Sequence, residues 1–482
     1  MRMAKSYLRN CLASVGVLLA LSLSMLSQAA AQIAPGDNTV YSSSLTPTNS
    51  HSFIDASVLN TSGDICAKIN TALNNLLGTT NYPAQAGVID ARGAATGTCA
   101  SSPWIGFNST KQPPPAVILL PAGTITIPGT WYVPDRTRII GEGLQTVVQA
   151  AGTGFTGTAM IQMGETAGGY TCPGTPSICF GIGIQDLRLD GSLVTSLLNG
   201  IVNDAAQELS YVNHVDLFQI SGIGLLVGAT SGGIGTTVTG NSGAQNSGPY
   251  ANIRFDNSSN ATSGTVCAQI LGSTTRGIHG LTCTASTIAK AAILLDALGT
   301  TIEDVNITGF VDGVLIGANS LSTGIFENSN VLLNIMGAPG TNLIHICSPT
   351  TPTGNCINSS GGKPVTDLSI LAVTNTNTST TTTILDEEGG AKLTVAMGDS
   401  HVGAYILGEA VPITSSVSAY SRFSTSPRTP TWASANIGSA GITGNACNSI
   451  GSLFSNTTGS GTGNTLWACV GPAATATWKN IK

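Results

Sequence analysis

The stretch Val212-Asn-His-Val-Asp-Leu-Phe-Gln-Ile220, followed by Gly224-Leu-Leu-Val-Gly228, returns later in the chain as Ile302-Glu-Asp-Val-Asn-Ile-Thr-Gly-Phe310, followed by Gly313-Val-Leu-Ile-Gly317. Related short runs occupy residues 184–190, 251–256, 278–283 and 366–370. One such unit cannot cover its own apolar face, so successive units must stack, pair their backbones and share one continuous core. Leu187, Leu189, Val215, Leu217, Val305 and Ile307 are then expected to point inward, with the polar residues between them facing outward. The fold class this predicts is all-β, a right-handed parallel β-helix. A β-sandwich also offers alternating strands and is the runner-up, but it does not explain a recurring strand, glycine, strand unit.

Ahead of the repeats, Ile65, Ile69, Leu73, Leu76 and Leu77 recur at helical spacing. Ser62 or Asp64 is available as a cap and Gly78 as a stop, which predicts one amphipathic capping helix. Three runs follow: Val88-Ile-Asp-Ala-Arg-Gly93, Val117-Ile-Leu-Leu-Pro-Ala-Gly-Thr-Ile-Thr-Ile127, and Thr137-Arg-Ile-Ile-Gly-Glu-Gly-Leu-Gln-Thr-Val-Val148. This order of helix, PAGT and IIGEG resembles the opening coils of the pectate-lyase-like superfamily, the pectin lyase fold. The resemblance implies a right-handed parallel β-helix and activity on an extracellular polysaccharide, by lyase or hydrolase chemistry. It covers the opening coils; later coils match only as a generic repeat. The acidic Gly-Asp-Gly and Asp-Asp-Thr segment often found near the start of such proteins is absent, and the polygalacturonase pattern survives only as echoes at Gly277-Ile-His279-Gly280 and Asn203-Asp204.

The compartment follows from the first residues. Arg2 and Lys5, a short apolar run over 15–26, and Ala29, Ala30 and Ala31 read as a secretory signal peptide spanning 1–31. No later run approaches the roughly 18 apolar residues a membrane span requires, so a secreted protein without one is expected. Leaving out Cys11, ten cysteines remain. Their order suggests nearest-neighbour disulfides in an oxidising compartment: Cys66 with Cys99, Cys172 with Cys179, Cys267 with Cys283, Cys347 with Cys356, and Cys447 with Cys469. No CxxC pair supports zinc. The helix body is expected over 32–411, and a Ser/Thr/Pro-rich linker and a small disulfide-pinned β module over 412–482.

Charged residues make up only 9% of the chain and the net charge is −6, which leaves no basic field for nucleic acid. Against that background, aligned strands put Arg188, Asp216, Arg254 and Asn306 in one outward column. Asp190 and Asp256 lie two residues further on, and His214 and Asp186 in the column before. Hydrolysis of a glycan needs an acid and a second carboxylate, making Asp190, Asp216 and Asp256 the catalytic candidates. A lyase instead needs a base, here Arg254 or Arg188, with calcium held by the aspartates; otherwise no cofactor or metal is expected. Arg188, His214, His279 and Asn306 are candidate substrate-binding residues. The rival readings are ordinary cross-strand ion pairs and a non-catalytic, fibre-like adhesion rod, which carries the expectation of a homotrimer.

Overall fold

The computed structural model describes residues 52–77, 86–164, 179–228, 247–317, 331–347, 354–356, 368–376, 382–386 and 393–396, less a few positions (61, 109, 204, 272–275 and 297–299), and three strands within 453–481. The signal peptide, the linker and Cys447 lie outside them, as do Cys172 and Asp204, so the expected Cys447–Cys469 bridge is not described.

Nearly all of the described body is parallel strand. One long sheet runs Ser52–Asp55, Gly87–Asp90, Ala116–Leu119, Thr137–Ile140, Gly183–Asp190, Tyr211–Phe218, Tyr250–Asn257, Ile278–Ala285, Thr301–Thr308, Val331–Ala338, Leu368–Asn375 and Leu393–Ala396, each strand parallel to the last. A second sheet stacks Gly129–Val133, Thr156–Met163, Asn199–Asn203, Ile223–Val227, Val266–Leu271, Ala291–Asp296, Asp312–Ile316, Asn342–Ile346 and Thr382–Asp386. The chain alternates between the two and climbs one coil at each circuit. This is a right-handed parallel β-helix. The aligned repeat holds in register, since Val212 and Ile302 share one column and Leu225 and Val314 another.

The long sheet bends along its length. In the opening coils a true loop separates two short strands, as between Leu119 and Gly123–Ile127 or between Ile140 and Thr146–Ala150. At Gly183–Asp190 those two rows fuse: Gln185 pairs with Ile140, and Arg188 pairs with Val147 of the other row. What remains of the loop is one residue, Asp186, with φ +56°. The same corner recurs at His214 (φ +58°), Asn252 (φ +53°), Gly280 (φ +67°), Asp304 (φ +54°) and Asn334 (φ +55°). Asp, Asn, His and Gly tolerate this left-handed conformation better than other residues do. Its consequence is a three-residue step between inward side chains, so that Ile184, Leu187 and Leu189 are all buried, as are Val212, Val215 and Leu217.

The predicted inward residues are buried. The second sheet departs from the expected alternation, because its strands from Asn199–Asn203 to Asn342–Ile346 are buried on both faces. Leu225, Ile293 and Val314 join the main core, while Leu226, Leu294 and Leu315 join a separate apolar cluster outside it. Continuous apolar runs are what a strand covered on both sides requires.

Helix Ile65–Leu77 caps the first coils with Ile65, Ile69, Leu73, Leu76 and Leu77 buried. Asp64, not Ser62, is the cap: its carboxylate accepts from Ala67 N at 2.9 Å and from Ala100 N at 2.9 Å. Disulfides Cys66–Cys99, Cys267–Cys283 and Cys347–Cys356 form as expected. Cys179 is also disulfide-bonded. No described helix is long and apolar enough to cross a membrane. Strands Leu453–Asn456, Thr465–Val470 and Thr477–Ile481 form a small antiparallel sheet.

Candidate functional site

The strand register brings the predicted column together. Arg188 pairs with Asp216, Asp216 with Arg254, Arg254 with Thr282 and Thr282 with Asn306. Arg188 Nε donates to Asp216 Oδ2 at 2.7 Å, and Arg254 Nη1 reaches Asp216 Oδ1 at 3.5 Å. Arg254 Nη2 donates to Asp256 Oδ2 at 2.7 Å. The Arg188 guanidinium also stands 5.0 Å above the Phe218 ring. Asp216 is in the outward column as expected, yet it is only 1% exposed, whereas the Arg254 side chain is 49% exposed. Two guanidiniums roof the carboxylate, so outward alternation does not place it in solvent.

Asp190 accepts from Gln149 Nε2 at 3.1 Å and from Ser192 N at 2.9 Å. It shares a row with Phe218 and Asp256, so Asp190 and Asp256 stand two coil steps apart with an aromatic ring between them. At about 4.8 Å per step that is roughly 10 Å. That backbone spacing lies just beyond the roughly 6.5–9.5 Å that separates the carboxyls of an inverting pair. Calcium fits this set poorly. The three aspartates do not converge on one point, and two of them face guanidinium charge, whereas calcium seeks roughly six to eight oxygens.

The corner column holds His214 and Asp186 as expected, and their neighbours add residues that alternation alone does not bring forward. His214 Nδ1 lies 3.1 Å from Asp186 Oδ1, Gln185 Nε2 donates to Asp186 Oδ2 at 2.9 Å, and Tyr211 Oη donates to Gln185 Oε1 at 2.7 Å. Asn252 Nδ2 donates to Asn213 Oδ1 at 3.0 Å, and Asn334 Nδ2 donates to Asp304 Oδ1. His279 Nδ1 pairs with Glu303 Oε1, and its other ring nitrogen faces Arg276 O at 3.3 Å. His279 is thus one partner of an imidazole–carboxylate pair beside the corner. The sequence signal for Glu303 and Asp304 was their place in the repeat, directly ahead of Val305. His214 is 73% exposed at its side chain, and Asn306 is exposed.

Asn203, one of the two polygalacturonase echoes, is buried. Its Nδ2 donates to Tyr250 Oη at 2.8 Å and to Ala206 O at 3.0 Å. Burial pushes the Tyr250 hydroxyl up to about 12. This cluster stitches coils together and is closed to solvent. Among the described residues, the two groupings with metal-ligand spacing, His345 with Cys347 and Cys356 and Asp64 with Cys66 and Cys99, have their sulfur atoms committed to disulfides.

The chain matches no protein-family model and no curated protein. Among solved structures it is similar to the A-module of the mannuronan C-5 epimerase AlgE6 of Azotobacter vinelandii, at 11% identity and a TM-score of 0.26, over 71% of this chain and 84% of that one. It is also similar to the ORF18 protein of Geobacillus virus E2, at 11% identity and a TM-score of 0.26, over 73% of this chain and 58% of that one. At such scores neither likeness informs function.

Proposed function

We propose that this chain is a secreted polysaccharide-binding β-helix, with the bent face of the long sheet as its glycan-binding surface. The observation that carries the reading is the register of Arg188, Asp216 and Arg254. A buried carboxylate fixes two partly exposed guanidiniums on the coils either side of it, flanked by the exposed groups of His214 and Asn306. Planar donors and acceptors repeated at coil spacing suit a repeating chain of hydroxyls and carboxylates. Arg254 and Asp256, Arg188 and Asp216 nearly balance in charge, which suits a neutral or weakly acidic glycan of the pectin type. Disulfides support the extracellular setting.

Binding is favoured over cleavage because Asp216 is buried beneath two guanidiniums, and Asp190 and Asp256 stand two coils apart with Phe218 between them. The test is affinity electrophoresis and calorimetry against a panel of pectin, galactan and arabinan, with reducing-end and unsaturated-product assays run on the same mixtures. Binding that falls about tenfold in Arg254→Gln is expected. If no glycan binds, or if Arg254→Gln and His214→Ala bind as the unaltered chain does, the proposal fails. Sedimentation tests the rival rod, for which a trimer is the expected species.

A further inference from the structure

A second surface lies away from that column, where the first strands of the second sheet meet the segment after Cys99. Strand Gly129–Val133 ends the second sheet, so its outer backbone edge has no strand partner among the described residues. Alongside runs a cleft of about 670 Å³, lined by residues including Ser101, Trp104, Phe107, Tyr132, Gly154 and Thr156. That volume is in the range of small-ligand sites. None of the lining residues carries a charge at neutral pH.

Its wall is held in place. Cys99 is bonded to Cys66 of the helix, and Asn70 Nδ2 donates to Pro103 O at 2.8 Å and to Ile105 O at 2.9 Å. Trp104 packs edge-on against Trp131 of the core, with ring centroids 6.1 Å apart and planes at 82°. The floor offers the half-buried Tyr132, and the rim offers Gly154, exposed and with open space where a side chain would stand.

We infer that this cleft binds an uncharged oligosaccharide, independently of the Arg188–Asp216–Arg254 face. A sugar ring presents an apolar C–H face and a rim of hydroxyls. An uncharged cleft that sets the half-buried Tyr132 ring, beside the largely buried Trp104 and Phe107, among Ser and Thr hydroxyls and the backbone edge of a terminal strand answers both. An extended peptide added to the edge strand would use the same backbone groups. The strand's pairing with its neighbour, however, shifts register between Gly129 and Trp131. A bulge of that kind twists an edge away from the flat ladder that strand addition needs.

Titration of the full chain with uncharged cello-, xylo- and galacto-oligosaccharides, followed by tryptophan fluorescence and calorimetry, tests this. Saturable binding is expected, weakened about tenfold in Tyr132→Ala. It is lost in Gly154→Leu, whose added side chain enters open space on a backbone that tolerates it, and unchanged in Arg254→Gln. That last arm separates this site from the proposed glycan face, so each can fail alone. Overturning results are a flat fluorescence and heat response in the unaltered chain, equal affinity in the folded Gly154→Leu chain, or saturable binding of an unstructured peptide in place of the sugars.

Discussion

Because the Asp216 carboxylate is 1% exposed and accepts from Arg188 and Arg254 on the neighbouring coils, its replacement acts on stability before it acts on any ligand. Removing the acceptor leaves Arg188, 28% exposed, with a desolvated and unanswered charge. Asp216→Ala is expected to cost about 1–3 kcal/mol, read as a lowered thermal midpoint, with Asp216→Asn recovering part of it. A midpoint unchanged in both would remove Asp216 from any organising role. The Asp90 carboxylate illustrates a milder dependence. Hydrogen bonds from Arg92 Nε and Nη2, at 2.9 and 2.7 Å, hold it below the usual range. A lowered folded value means the stabilisation is present above the unfolded value of about 3.9 and is lost as the pH falls through the folded one. Both side chains meet solvent, so Arg92→Gln should cost only about 0.5 kcal/mol at pH 7 and nothing at about pH 2. Equal losses at both values would show that the bidentate contact is not the source.

At the scale of elements, the Cys267–Cys283 bridge joins strand Val266–Leu271 of the second sheet to strand Ile278–Ala285 of the long one, and both sulfurs are buried. Closing a loop of 16 residues in sequence separation removes chain entropy from the unfolded state. The double Ala variant should therefore lose about 3 kcal/mol, measured by denaturant unfolding under non-reducing conditions. An unchanged midpoint would place the restraint elsewhere. The strands themselves were legible, since Leu187, Leu189, Val215 and Leu217 face the core as their alternation requires. Their register was legible too, so Arg188, Asp216, Arg254 and Asn306 do share a column. The corner was not. A strict two-residue period cannot accommodate Val212 and Val215 as successive inward residues. The signal was nonetheless present in that spacing, together with Asp186, His214, Asn252, Gly280, Asp304 and Asn334 at one repeat position.

For the molecule as a whole, the repeat and the capping helix sufficed to read the solenoid, because each coil must cover the next. What escaped was how polar and apolar groups are covered. The burial of Asp216 depends on arginines from two other coils, and the outer apolar cluster around Leu226, Leu294 and Leu315 has no counterpart in a pattern of inward and outward positions. The cleft beside Trp104 escaped for the same reason: residues after Cys99 and residues of two later strands compose it jointly.

The left-handed corner has a consequence for how such a chain can change length. Strands Gly183–Asp190, Tyr211–Phe218, Tyr250–Asn257, Ile278–Ala285, Thr301–Thr308 and Val331–Ala338 all contain eight residues, and their kinks fall in one column of the register. An amino acid gained or lost inside any of them would throw one storey out of step with those above and below. The stretches between strands carry no such tally and already differ widely in size, so growth, trimming or the grafting of foreign loops belongs there.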